Sequence, residues 1–173
     1  MTVHDDEKRP RAAILGCAGP TLSEEETFFF EQTDLFARIA EDDRALAREA
    51  ASINARLIAE ELIQLGIDVD CLPLLDVPVK GAHDIIGDRA FGMDPDIVSE
   101  LGQSVITGLG AGGVTAVIKH LPGHGRANAD SHMALPYVDA GKNALRRTDF
   151  LPFKNARFAP WGMTAHVVYE AFD

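Results

Sequence analysis

The run Val114-Thr115-Ala116-Val117-Ile118 constrains the fold more than any other stretch of this chain. It is continuous, apolar and largely β-branched, so it reads as a strand buried on both faces. Strands of that kind belong to parallel sheets covered by helices. Residues 12–16 (AAILG), 69–75 (VDCLPLL) and 162–168 (GMTAHVV) read as further strands, with Pro73 weakening the ladder near the end of the second. Helical patterns lie between them. Ser23 and Glu26 have capping-box spacing and open a helix through Phe28, Phe29 and Phe30. A long helix is expected from Asp42 to Leu65, with Leu46, Ala50, Ile53, Leu57 and Leu62 as its buried stripe and Gly66 at its stop. Asp94-Pro95 starts a helix carrying Val98, Leu101, Val105 and Leu109 on one side, and a last helix covers 143–156. Strand and helix alternate throughout, which predicts an α/β fold with a parallel sheet.

Composition narrows the function. At 173 residues the chain is one domain with room for a real core, and 46% hydrophobic against 25% charged residues excludes a disordered polymer. The formal net charge of −11 repels phosphate backbones, so no nucleic-acid partner is expected. Met1 to Arg11 is polar and charged, without the apolar core of a signal peptide. No stretch approaches the roughly 20 apolar residues that span a bilayer, so no membrane partner is expected. Cys17 and Cys71 sit in apolar strand contexts and read as two buried free thiols. A cytoplasmic location is the expectation.

Polar residues gather directly after the strands, at Asp76 to Arg89, Lys119 to His132, and His166. Sites on parallel sheets lie at that edge. The densest group is Lys119-His120-Leu121-Pro122-Gly123-His124-Gly125 followed by Asp130-Ser131-His132. Two chemistries fit it. Asp130 can set the tautomer of His132, making an imidazole able to move a proton near neutral pH. Alternatively His120, His124, Asp130 and His132 form a mononuclear metal site of a metal-dependent hydrolase. Asp76 and His166 read equally as scaffold or site, and His124 as a residue that orders the loop.

The segment KHLPGHGRANADSHMALP at 119–136 resembles the signature loop of family 3 glycoside hydrolases of the bacterial β-N-acetylhexosaminidase type. LPLLDVPV and IIGDRAFGMDP within 72–95, and MTAHVVYEAFD at 163–173, are similar to further segments of that family. The resemblance implies a (β/α)8 TIM-type barrel and release of terminal N-acetylglucosamine from β-linked glycans. Muropeptides of peptidoglycan recycling are the implied substrate, hydrolysed with retention and without a metal or other cofactor. It implies that His132 is the general acid/base with Asp130 as its partner, and that Arg89, Lys119 and His120 contact the sugar.

Two features of the family have no match. The nucleophilic aspartate of a retaining enzyme lies on a strand beyond the last matching segment, and no DQEGGR-type segment is present. The joins at Asp34–Leu35 and Arg38–Asp42 read as jumps where breaks in the chain are expected. Residues 1–173 therefore read as one partial barrel domain, since a full barrel needs about 250 residues. Hydrolysis by this chain alone is not expected, and a non-catalytic sugar-binding remnant is the other reading.

Overall fold

The computed structural model describes residues 33–82, 86–129 and 134–172. The expected strand at 12–16, the capping box at Ser23, Cys17, Asp130 and His132 lie outside them.

Helix α1 (Thr33–Asp42) runs without interruption through both of the expected jumps. The sequence there changes character, but a continuous helix accommodates the change, and that expectation is corrected. Helix α2 (Arg44–Gln64) begins anew rather than at Asp42, because the Asp43 backbone is extended. The Asp43 carboxylate accepts from the amides of Ala45 at 2.9 Å and Leu46 at 3.0 Å, which satisfies donors that no helical carbonyl can reach. Gly66, at φ 77°, ends the helix as expected, and Ile67 N donates to Leu62 O at 2.9 Å.

Of the expected stripe on α2 only Leu62 is buried. Leu46, Ile53 and Leu57 are 53%, 53% and 55% exposed, whereas Ala47, Ala51, Ala55, Ala59 and Leu62 are buried. The reason is the partner helix α3 (Pro95–Ala111), which presents glycines. A Cβ on Gly108 would lie 2.2 Å from Ser52 O, and one on Gly112 would lie 2.4 Å from Ala59 Cβ. Small side chains on both helices let the backbones approach, and close approach multiplies weak dispersion contacts. Ranking α2 faces by side-chain size alone misses this.

Helix α3 starts where its sequence says. The Asp94 carboxylate accepts from Asp96 N at 2.8 Å, and Pro95 occupies the first turn, where its missing N–H costs nothing. Val98, Leu101, Val105 and Leu109 are all buried.

Strand β1 is only Val69–Asp70. It pairs in parallel with β2 (Thr115–Leu121), Val69 opposite Thr115 and Asp70 opposite Ala116. Pro73 then interrupts the ladder, which resumes as a single bridge between Leu74 and Lys119. Strand β2 runs three residues beyond the expected end, so Lys119 and His120 belong to the strand and not to the loop. On its other side β2 pairs in parallel with β4 (Trp161–Thr164).

The expected helix at 143–156 is two short ones, α4 (Lys142–Arg147) and α5 (Leu151–Asn155), divided at Thr148–Phe150. The expected strand at 162–168 is also divided. Its end forms β5 (Val168–Tyr169), which pairs in parallel with β3 (Tyr137–Val138) in a separate two-stranded sheet.

Strand β1 and the middle of β2 are buried, as their apolar runs require, whereas β4 is largely exposed. Ala116 and Ile118 join Leu75, Leu101, Leu109 and Phe153 in the core shared with the helices. Val117 packs with Val69, Cys71 and Met163 on the opposite face. Among the described residues no helix is long and apolar enough to cross a membrane.

Candidate active site

The C-terminal end of β2 carries the chemistry. Alternate residues of a strand share a face, so Lys119 follows Val117 to the side away from the helical core. Lys119 is 4% exposed, a buried cation at the end of a buried strand. Nearby, Asp70 is also buried, and burial pushes its carboxyl up to about 6, the positive charge of Lys119 opposing part of that rise.

His120 is an irregularity in the strand. Lys119 pairs with Met163 and Leu121 with Thr164, so His120 is the extra residue of a bulge. Bulges free one residue from the ladder and re-aim it. Here the freed amide turns to Asp76, 3.3 Å from each carboxylate oxygen. The ring follows, with Nδ1 2.7 Å from Asp76 Oδ2. His124 N donates to Asp76 Oδ1 at 2.6 Å. Asp76 itself is fully buried, and these donors replace the water it has lost. The rings of His120 and His124 meet edge to face, 5.7 Å between centroids.

Glycines let the following loop lie this close. A Cβ on Gly125 would sit 2.0 Å from Val77 O, and Gly123 adopts φ 140° against Asp149. The Tyr169 hydroxyl donates to Gly123 O. Arg126 Nε donates to Asp149 Oδ2 at 2.8 Å and its Nη2 to Thr148 Oγ1 at 3.0 Å. Tyr137 N donates to Asn128 Oδ1 at 2.9 Å. Residues 120–128 are thus tied to β5, to the α4–α5 turn and to β3, immediately before the segment holding Asp130 and His132.

Lys119, His120 and Asp76 are therefore brought together by the parallel pairing of β1 and β2. Arg89 lies in the 3-10 turn Gly87–Arg89, after the same strand that leads to Asp76. Its Nε donates to Ile86 O at 3.3 Å, and it lines a cavity with Thr33, Phe36, Asn54 and Leu74, on the α1–α2 side. His166 is exposed in the link between β4 and β5. His124 ties the loop to Asp76 through its backbone amide. Among the described residues no three His, Cys, Asp or Glu side chains form a group able to hold a metal ion.

Sequence reasoning left Asp76 undecided and did not single out Arg126, Asp149 or Tyr169. A buried-strand aspartate in LLDVP and a lone arginine in a Gly/His loop were the available signals. Their partners lie 44 and 23 residues away, beyond the reach of local spacing.

Residues 22–173 match the model of the glycosyl hydrolase family 3 N-terminal domain. A β-hexosaminidase from Thioalkalivibrio sulfidiphilus is 44% identical over 133 residues, which is 76% of this chain and 38% of that protein. The crystal structure of native NagZ from Neisseria gonorrhoeae superposes with a TM-score of 0.76 at 34% identity, covering 82% of this chain and 42% of that one. The same protein in complex with N-trifluoroacetyl-D-glucosamine gives 0.76 at 35% identity, with the same coverage. This chain spans about two fifths of the length of these relatives.

Proposed function

Because this chain belongs to the glycosyl hydrolase family 3 N-terminal domain family, we propose that it is the sugar-binding and proton-transferring part of a β-N-acetylhexosaminidase. The observation that carries the reading is the Asp76–His120 pair beside the buried Lys119 at the end of a parallel strand. The names of the curated relatives and the glucosamine derivative bound by the gonococcal protein agree with it.

In this reading Lys119, His120 and Arg89 hold a terminal N-acetylglucosamine unit at the mouth of a (β/α)8 barrel. His132, oriented by Asp130, donates a proton to the leaving oxygen and later takes one from water. A retaining reaction also needs a nucleophilic carboxylate about 5 Å from the acid/base. The resemblance assigns that carboxylate to none of the matching segments of this sequence. Muropeptides in the cytoplasm are the proposed substrates.

Binding tests the reading on the chain itself. Methyl N-acetyl-β-glucosaminide is titrated against the protein, with methyl β-glucoside as the comparison. The acetamido sugar should bind more tightly, and Lys119→Ala and His120→Ala should each weaken it about ten-fold or more, the scale of a lost charged or ring hydrogen bond. Equal affinity for the two sugars, or binding indifferent to both substitutions, overturns the reading.

A further inference from the structure

We propose that Asp76 is a positioning residue that locks His120 in the Nδ1–H tautomer, making its Nε2 a fixed hydrogen-bond acceptor for a ligand hydroxyl.

Three observations lead there. Two backbone amides point at the Asp76 carboxylate, His120 N at 3.3 Å from both oxygens and His124 N at 2.6 Å from Oδ1. A backbone amide can only donate, so the carboxylate is an acceptor at both oxygens. The 2.7 Å contact with the His120 ring then requires the hydrogen to sit on Nδ1. In the neutral ring Nε2 is left with its lone pair.

The same carboxylate grips His120 twice, by backbone and by ring. The bulge makes this possible, because an amide kept in the ladder would have no hydrogen to spare for Asp76. Asp76 is fully buried and engaged on Oδ1 by His124, so neither rotation nor solvent relaxes the arrangement. The His120 side chain keeps 18% exposure, enough for a ligand to reach it.

An acceptor-only imidazole nitrogen suits a hydroxyl, which has a hydrogen to donate to it. A carboxylate or phosphate offers Nε2 no hydrogen. The ligand class is therefore hydroxylated and uncharged at this point. That the hydroxyl belongs to a sugar rests on the reading above; the tautomer does not.

The test is two-bond proton–nitrogen NMR on the free chain with 15N-labelled histidine, at a pH where the ring is neutral, His120 being assigned by its loss in His120→Gln. One tautomer with hydrogen on Nδ1 is expected. A ring with hydrogen on Nε2, or one averaging between tautomers, overturns the proposal. Asp76→Asn presents an amide donor to Nδ1 and should raise the Nε2–H population several-fold. An unchanged tautomer in a folded Asn variant also overturns it. Tyr169→Phe, which removes a different anchor of the same loop, should leave the His120 pattern as it is. Should the Asn variant not fold, the wild-type tautomer decides by itself. The free chain is used throughout, so the outcome stands whether or not N-acetylglucosaminides bind.

Discussion

Arg126 Nε lies 2.8 Å from Asp149 Oδ2 and closes the Gly/His loop onto the turn between α4 and α5. Asp149 is 1% exposed, and its Oδ1 has no hydrogen-bond partner among the described residues. The carboxylate therefore depends on what reaches Oδ2, which is Arg126 and the Thr148 hydroxyl.

Arg126→Ala leaves that carboxylate buried with a single neutral donor. Breaking a buried pair costs about 3–5 kcal/mol, and the 23% exposure of the arginine side chain places this one near the lower end. Urea unfolding of the variant should show a loss of about 3 kcal/mol. A loss below about 0.5 kcal/mol would place the pair with ordinary surface salt bridges.

Two glycines near the C-terminal end of α3, Gly108 and Gly110, should respond to alanine with opposite signs. At Gly110 a Cβ meets nothing within 4 Å, so Gly110→Ala should stabilise the helix by about 0.5–1 kcal/mol. At Gly108 the Cβ would lie 2.2 Å from the Ser52 carbonyl, and α2 has no flexible side-chain end there to yield. Gly108→Ala should cost about 1–3 kcal/mol through overpacking. Thermal unfolding of both variants measures the pair; the same sign at both positions would refute the close α2–α3 approach.

Asp70 makes the chain less stable as pH rises. Its folded carboxyl titrates at about 6 against an ordinary 3.8, chiefly from desolvation. Between these values the folded state holds more protons than the unfolded one, so stability falls across this window and levels off above about 6. The interval corresponds to about 3 kcal/mol at about 1.4 kcal/mol per pH unit. Asp70→Asn removes the titration. The stability of the variant relative to the native chain should grow from pH 4 to pH 6 and then stay constant, as read by urea unfolding across that range. A difference independent of pH would show that Asp70 is not the titrating group.

Tyr169→Phe removes one hydroxyl and keeps the ring, which packs edge to face on Phe150 at 5.7 Å between centroids. Gly123 is buried, and its carbonyl loses that donor. A cost of about 1 kcal/mol is expected, together with faster amide exchange at Gly123 to Arg126. Unchanged exchange in the loop would mean that Tyr169 does not restrain it.

Residues whose behaviour depends on near neighbours are legible in the sequence. Asp94 with Pro95 announces the start of α3, Gly66 the end of α2, and Pro73 the gap in the β1 ladder. The helix through Thr33–Asp42 is hidden, since its polar and apolar residues look like a seam until α2 is there to pack against. The β3–β5 sheet is equally hidden, because two-residue strands carry too little pattern to stand out.

What this sequence determines by itself is the parallel α/β order and the presence of Lys119-His120 at a strand end, since strand runs and caps act within a few residues. The inward face of α2 was decided by tertiary structure, because glycines 56 residues away, such as Gly108 opposite Ser52, made alanine a better contact than leucine. The hold of Asp76 on His120 was decided there too. It spans 44 residues and exists only because β1 and β2 lie side by side and a bulge frees one amide to reach a buried carboxylate.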